Sequence, residues 1–150
     1  MRDLRSFHDD SFDLVVHPCS NCFVPEVRGI WREVFRVLKP GGILMAGFVN
    51  PAVYIFDAAA SERGELVVRH TLPYSDQVDL TEEERRALVE AGEPLEFSHS
   101  LEDLIGGQAD AGLVIDGLYE DRWPDRPISR HMPAFIATRA RKLPTVGGGA

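Results

Sequence analysis

Short apolar runs on either side of an amphipathic segment dominate the first third of the chain. Residues 12–18, Phe-Asp-Leu-Val-Val-His-Pro, are rich in β-branched side chains and hardly alternate, which predicts a strand buried on both faces. Pro18 has no N–H to donate to a neighbouring strand, so we expect the strand to end there. A second apolar run over residues 43–49 predicts another buried strand, ended by Asn50 and Pro51.

The segment between these strands has the three- and four-residue spacing of an amphipathic helix. Pro25 suits the first helical position and Lys39 the last turn, and Pro-Gly-Gly at residues 40–42 should stop the helix. Strand, helix and strand with tight connections predict a βαβ unit with parallel strands and a right-handed crossover. The predicted buried face consists of Val27, Ile30, Trp31, Val34, Phe35 and Leu38.

Three arginines, Arg28, Arg32 and Arg36, recur every four residues along another face of this helix. They could form a basic docking stripe or an ordinary solvated surface. We favour the solvated surface, because charged helix faces are usually exposed to water.

The middle of the chain, residues 52–98, is more polar and has weaker strand and helix patterns than the first third. Residues 65–71 have the composition of a strand. Thr81 and Glu84 match a capping box, so we expect a helix over residues 82–91. This helix should lie on the surface as a cover, because its apolar side is short and consists of Ala87, Leu88 and Ala91.

The last third of the chain returns to apolar patterns. Ser100 and Asp103 predict a helix start, and runs at residues 113–119 and 133–139 predict two more strands. Residues 143–150 should form a flexible tail. The side chains expected to face inward from the predicted helix are Leu101, Leu104 and Ile105.

The composition is that of a soluble globular domain. The 150 residues carry 16 Lys and Arg against 24 Asp and Glu, a net charge of −8, and 44% are hydrophobic. An acidic chain of this kind argues against a general nucleic-acid binder, which needs a basic face. No apolar run approaches the length of a membrane helix, and the first residues lack the apolar core of a secretory signal. We expect a cytoplasmic protein that does not bind membranes.

Two segments in order resemble the class I S-adenosylmethionine-dependent methyltransferases. These are Ser-Phe-Asp-Leu-Val-Val at residues 11–16 and Arg-Val-Leu-Lys-Pro-Gly-Gly at residues 36–42, and residues 132–142 resemble the family's last strand. The resemblance implies a partial Rossmann-like α/β sheet with the equivalents of strands four to seven, the last of them antiparallel. Residues 1–142 would form the C-terminal half of such a domain, with the variable substrate-side insertion at about 52–98.

The resemblance also implies a transferase that uses S-adenosylmethionine to methylate a small molecule. The family binds this cofactor mainly through a Gly-rich loop and an acidic residue that precede the segments recognised here. We therefore expect a fragment, a misassigned start or a trimmed chain, with weak or no cofactor binding and no activity by itself. Met1 and Arg2 resemble the segment just after the adenine-binding acid, so the resemblance implies that both residues contact the cofactor.

His17 is the predicted catalytic residue. It ends a parallel strand at the edge where open α/β sheets bind ligands, and its ordinary pKa suits a general base. The alternative is a histidine that caps the strand or bonds a loop. In the family, the residue at this position often lies beside the methyl donor, so the resemblance makes His17 and Pro18 cofactor contacts.

The substrate contacts predicted from position are Asn21, Asn50 and Tyr54. The two asparagines follow the two parallel strands and could line one crevice, although turn residues that bond their own backbone are at least as frequent. Tyr54 opens the insertion, where Phe56, His70, Tyr74 and His99 could also shape a pocket.

Cys19 and Cys22 form a Cys-x-x-Cys next to His17. A zinc site needs four nitrogen or sulfur ligands, and the sequence offers no second pair at a suitable spacing. We expect no metal site and two reduced thiols.

A non-catalytic reading is the alternative: an interaction module, or a half-domain completed by another chain. If no strand covers residues 12–16, the apolar strand from Phe12 to Val16 is an open edge that templates pairing. We therefore predict a homodimer or higher oligomer through this strand.

Overall fold

The computed structural model describes residues 4–144, and its centre is a four-stranded mixed sheet. The strands are β1 (Phe12–Pro18), β2 (Leu38–Val49), β3 (Leu113–Asp121) and β4 (Phe135–Lys142), in the order β1-β2-β4-β3. β1 and β2 are parallel, whereas β4 is antiparallel to both β2 and β3. The predicted α/β class with an antiparallel last strand is confirmed.

The described part of the chain also contains five α-helices. They are α1 (Arg28–Val37), α2 (Ala58–Glu62), α3 (Asp76–Asp79), α4 (Glu82–Ala91) and α5 (Gly107–Asp110). A π-helical turn (Glu102–Gly106) precedes α5, and 3-10 turns lie at Ser20–Phe23, Pro51–Ile55 and Pro127–Arg130. Among residues 4–144, no helix has the length and apolar character needed to cross a bilayer.

The apolar face of α1 builds the core, as its spacing predicted. Five of its six predicted side chains are buried and Phe35 is partly buried against them. Trp31 is fully enclosed and donates from Nε1 to the carbonyl of Asp103 at 2.9 Å. Gly107 allows this approach, because a Cβ built there would lie 2.9 Å from Cδ1 of Trp31.

Both ends of α1 differ from the prediction. The helix begins at Arg28 rather than Pro25, because the Glu26 carboxylate accepts from the Gly29 N–H and so caps a helix that starts after it. The helix ends at Val37. Residues 38–42, which were expected to form its last turn and its stop signal, belong to β2. Leu38 already pairs with Phe12 of β1, and a bulge accommodates the intervening glycines.

The arginines of α1 do not form a docking stripe. Arg28 pairs with Asp103 and Asp110, and Arg36 pairs with Asp9 and Glu33. Arg32 is exposed, as the prediction of a solvated helix surface requires. Two of the three positive charges instead tie α1 to neighbouring segments.

β1 ends at Pro18 as predicted, but the prediction that both of its faces are buried is wrong. Leu14 is 53% exposed and Val16 57% exposed. The reason is topological: β1 lies at an edge of the four strands, and no element within residues 4–144 covers the face that carries these two side chains.

Helix α4 matches its predicted bounds and capping box, and no residue of it is buried. Its surface position is confirmed, although its expected apolar side is not buried, since Ala87 is exposed. The strand predicted at 65–71 is wrong: Phe56 and Val68 form one isolated bridge there. An apolar sequence without a partner of matching length makes no ladder.

The last third contains both predicted strands with shifted ends. Leu104 is buried as expected, but Leu101 is 48% exposed because the turn that follows it is π-helical and changes the face presented to the core. Residues 145–150 of the predicted tail lie outside the described residues, as do Met1 and Arg2.

Candidate functional site

A cavity of about 390 Å³ opens where β1 and β2 end. Its position agrees with the general rule that open α/β sheets bind ligands beyond the carboxyl ends of their parallel strands. The lining residues are Pro18, Cys19, Ser20, Cys22, Phe23, Val49, Val53, Tyr54, Glu96, Trp123 and Phe135. Mostly apolar walls with few polar groups are typical of small-molecule sites.

Two tight turns shape this cavity. After β1, Cys19 adopts the left-handed conformation with φ 40° and donates its N–H to the carbonyl of Gly47 at 2.9 Å. After β2, the Asn50 side chain accepts from the Ala52 N–H and donates to the carbonyl of Pro133. The chain therefore turns back and brings Tyr54 into the wall.

The polar centre of the cavity is the pair Tyr54 and Glu96. The Tyr54 hydroxyl donates to Oε2 of Glu96 at 2.9 Å. The Glu96 N–H donates to Oδ2 of Asp76 at 2.6 Å, and the Tyr74 hydroxyl donates to Oδ1 of the same Asp76. Tyr74 also stacks on Tyr54, with ring centroids 5.7 Å apart. This network fixes the carboxylate at the cavity wall.

The electrostatics follow from burial. Burial and the charge of Glu96 raise the pKa of Tyr54, so the phenol stays protonated and remains a donor. Burial raises the pKa of Glu96, which the Tyr54 hydrogen bond opposes. Burial raises the pKa of Cys22 to about 11, so at neutral pH this residue is a thiol and not a thiolate.

His17 lies in the core rather than in the cavity wall. It is 1% exposed, its ring meets Trp31 edge-on at 5.5 Å between centroids, and Nδ1 lies 3.4 Å from Oγ of Ser20. Burial lowers its pKa to about 4. Pro18, the next residue, does line the cavity. The role of His17 as a general base stays a prediction, and its burial gives that role no support.

The predicted substrate contacts separate in the structure. Tyr54 lines the cavity, whereas Asn50 holds the turn behind it. Asn21 is buried, and its carbonyl lies 3.0 Å from Nε2 of His99. Tyr74 supports Tyr54 from behind. The two asparagines therefore do not line one crevice.

The sequence analysis did not identify Glu96, Phe23, Phe135 or Trp123 as lining residues. Nothing local marks Glu96, which stands 42 positions from its Tyr54 partner. Trp123 packs on Phe135 with ring centroids 5.2 Å apart, so the proline-rich connection brings an aromatic wall to the cavity.

For S-adenosylmethionine the described residues offer the cavity wall at Pro18 and Cys19, which lies at the edge where the parallel strands finish. Residues 4–144 contain no Gly-x-Gly loop to approach the rest of the cofactor. Over the same residues, no group of three or more His, Cys, Asp or Glu side chains is placed to hold a metal ion.

Comparisons with known proteins agree with this architecture. The model of the methyltransferase domain family matches residues 1–46. The uncharacterized methyltransferase YbaJ of Bacillus subtilis is 46% identical over 143 residues, which are 95% of this chain and 56% of that protein. The chain thus spans little more than half the length of this relative.

Solved structures show the same fold. A putative S-adenosylmethionine-dependent methyltransferase from Listeria monocytogenes has a TM-score of 0.68 at 14% identity, covering 95% of this chain and 66% of that one. An S-adenosylmethionine-dependent methyltransferase from Mesorhizobium loti has a TM-score of 0.61 at 18% identity, covering 90% of this chain and 63% of that one. The resemblance of this chain to class I S-adenosylmethionine-dependent methyltransferases is confirmed, with S-adenosylmethionine as the cofactor of that family.

Proposed function

We propose that this chain takes part in methyl transfer from S-adenosylmethionine to a small molecule. The observation that carries the proposal is the cavity at the ends of β1 and β2, whose size and apolar lining suit a small molecule. When bound, the cofactor supplies an electrophilic methyl group. The chain's own residues orient the acceptor and exclude water, which is where proximity and alignment act on such a reaction.

The same proposal assigns residues 52–98 as the substrate-side part of a unit that spans residues 1–142. Tyr54 and Glu96 support this division, because both come from that segment and both line the cavity. The free thiols of Cys19 and Cys22 support a reducing, cytoplasmic location.

The experiment follows labelled methyl from S-adenosylmethionine into a small-molecule extract, using the natural gene product that contains this chain. Val53→Trp fills the cavity and should abolish the transfer. Val89→Trp on the exposed side of α4 is the matched control and should leave the transfer unchanged. Label that enters protein or nucleic acid instead, or transfer that survives Val53→Trp, would contradict the proposal.

The second candidate is an assembly module, favoured by the exposed edge of β1. This strand bonds only β2 among the described residues, and Leu14 and Val16 lie uncovered beside the open edge. We propose that a second copy of the chain pairs there about a two-fold axis, so that one interface satisfies the free N–H and C=O groups and covers the apolar side chains of both copies.

Light scattering on the 150-residue chain tests this pairing. We expect a dimer at tens of micromolar. Val16→Lys should give a monomer, because it puts a charge on the edge, whereas Val114→Lys at the opposite edge should leave the dimer intact. A soluble monomer of the unchanged chain would show that β1 does not pair between copies.

A further inference from the structure

We infer that the cavity receives an apolar amine, with Glu96 as the group that takes the proton from its nitrogen and Tyr54 as the residue that positions Glu96. This inference rests on the proposed function and deepens it by assigning the class of methyl acceptor.

The walls set the apolar part of the acceptor. Phe23, Trp123 and Phe135 join Val49 and Val53 around the space, and these five side chains offer neither a charge nor a hydrogen-bond acceptor to a ligand. A molecule that fills such a space gains by removing apolar area from water. Aromatic rings also attract a positively charged or polarised N–H group that lies over their faces.

Glu96 sets the polar part of the acceptor. It is the one charged side chain among the lining residues, and no Lys, Arg or His lines the cavity with it. Tyr54 occupies Oε2, while Oε1 accepts no hydrogen bond from any residue in 4–144. A single carboxylate oxygen without a donor, in apolar surroundings, selects a ligand that brings an N–H group and disfavours a ligand that brings a second negative charge.

A network of hydrogen bonds holds Glu96 in the cavity wall. Asp76 accepts from the Glu96 N–H and from the Tyr74 hydroxyl, and Tyr74 stacks on Tyr54. Backbone and side chain of Glu96 are thus held by separate hydrogen bonds. Such preorganisation places a proton acceptor without a further ordering cost when the ligand binds.

The proton transfer balances as follows. The amine enters as an ammonium ion and gives one N–H proton to Oε1 of Glu96, which frees the lone pair on nitrogen. That lone pair would form the new bond to the methyl group that the cofactor supplies, and the electrons of the broken carbon–sulfur bond would remain with the cofactor's sulfur. The products are the methylated ammonium ion and a protonated Glu96, which returns its proton to water when the product leaves.

Calorimetric binding of three probes of matched shape tests the assignment without relying on turnover. The probes are 2-phenylethylamine, 2-phenylethanol and 3-phenylpropionate, titrated into the natural gene product. We expect the amine to bind at least about tenfold more tightly than the other two, the scale of one hydrogen bond to a charged group. Equal affinity for amine and alcohol would overturn the inference.

Variants localise the effect. Glu96→Gln should weaken amine binding about tenfold and leave alcohol binding unchanged, and Glu96→Asp, which keeps the charge, should retain the preference for the amine. Glu90→Gln on the exposed side of α4 removes an equal charge away from the cavity and should change nothing. Circular dichroism first shows that the unchanged protein and the three variants are folded. An amine preference that survives Glu96→Gln would then overturn the assignment.

Tyr54→Phe tests positioning through the pH dependence of amine binding. The titratable groups around Glu96 are Tyr54, Cys22, Asp76 and Glu93. Among them, the hydrogen bond from Tyr54 lowers the pKa of Glu96. Removing the hydroxyl should therefore raise the pH at which acid abolishes amine binding, an effect that loss of packing alone would not produce. An unchanged midpoint would overturn the positioning role.

S-adenosylmethionine binding is measured on the same samples to separate the two proposals. A protein that binds the cofactor but shows no preference for the amine overturns this inference and leaves the proposed function intact. A protein that binds the amine through Glu96 but never the cofactor overturns the proposed function and supports the cavity assignment.

Discussion

Acid should destabilise this fold through His17. The imidazole is 1% exposed, and Nε2 has no hydrogen-bond partner within the described residues. Its pKa is about 4 in the folded chain against 6.5 when unperturbed. Between these two pH values the unfolded chain binds a proton that the folded chain does not, so the free energy of unfolding falls as the pH drops.

The size of the effect follows from the two pKa values. Each pH unit between them corresponds to about 1.4 kcal/mol, so His17 accounts for a loss of about 3 kcal/mol. The stabilisation is complete above about pH 6.5 and is lost by about pH 4. For a domain whose total stability is on the order of 5–15 kcal/mol, this is a large share.

Urea unfolding followed by tryptophan fluorescence measures this loss at about pH 7.5 and about pH 4.5. His17→Phe keeps a ring against Trp31 and removes the titrating group. Between these two pH values, both proteins lose stability as their carboxylates titrate, and the unchanged chain also loses the contribution of His17. We therefore expect the free energy of unfolding of the variant to fall less than that of the unchanged chain, by about 2 kcal/mol. His131→Phe, at an exposed position, is the control. Identical pH dependence of the unchanged chain and His17→Phe would refute the reasoning.

Two further predictions concern packing around the sheet, each measured by urea unfolding. Gly107→Ala should cost about 1–3 kcal/mol, because its Cβ would lie 2.9 Å from Trp31, whereas Gly106→Ala meets its nearest atom at 3.8 Å and should cost nothing; equal stability of the two variants would contradict this. Thr138→Val should cost about 1–3 kcal/mol, because it removes the 2.9 Å bond to Oε1 of Gln108 and leaves that buried oxygen without a donor. Thr138→Ser keeps the hydroxyl and should therefore be much more stable than Thr138→Val. If Thr138→Val is stable and Thr138→Ser is not, the hydrogen bond is not the cause.

Local sequence determined the elements whose stability comes from near neighbours. The spacing of apolar residues placed the buried face of α1, and the capping box of Thr81 and Glu84 placed the start of α4. Pro18 marked the end of β1 for the same reason, since a missing N–H acts at its own position. Such signals involve residues three or four positions apart, so a single sequence contains them completely.

Tertiary structure decided everything that depends on distant partners. β2 extends back to Leu38 because β1 offers it a ladder, and residues 65–71 form no strand because nothing of matching length lies beside them. Likewise, Leu14 and Val16 are exposed because of the order of the strands and not because of their own chemistry.

The candidate site shows this division most clearly. The family resemblance implied Pro18 as a cofactor contact, position along the chain predicted Tyr54 as a substrate contact, and both residues line the cavity. Nothing local predicted Glu96, whose significance comes from a hydrogen bond to a residue 42 positions away. Nor did the sequence show that His17 turns into the core while its neighbour faces the cavity. Successive side chains of a strand point to opposite faces, and only the packing of α1 decides which face is buried.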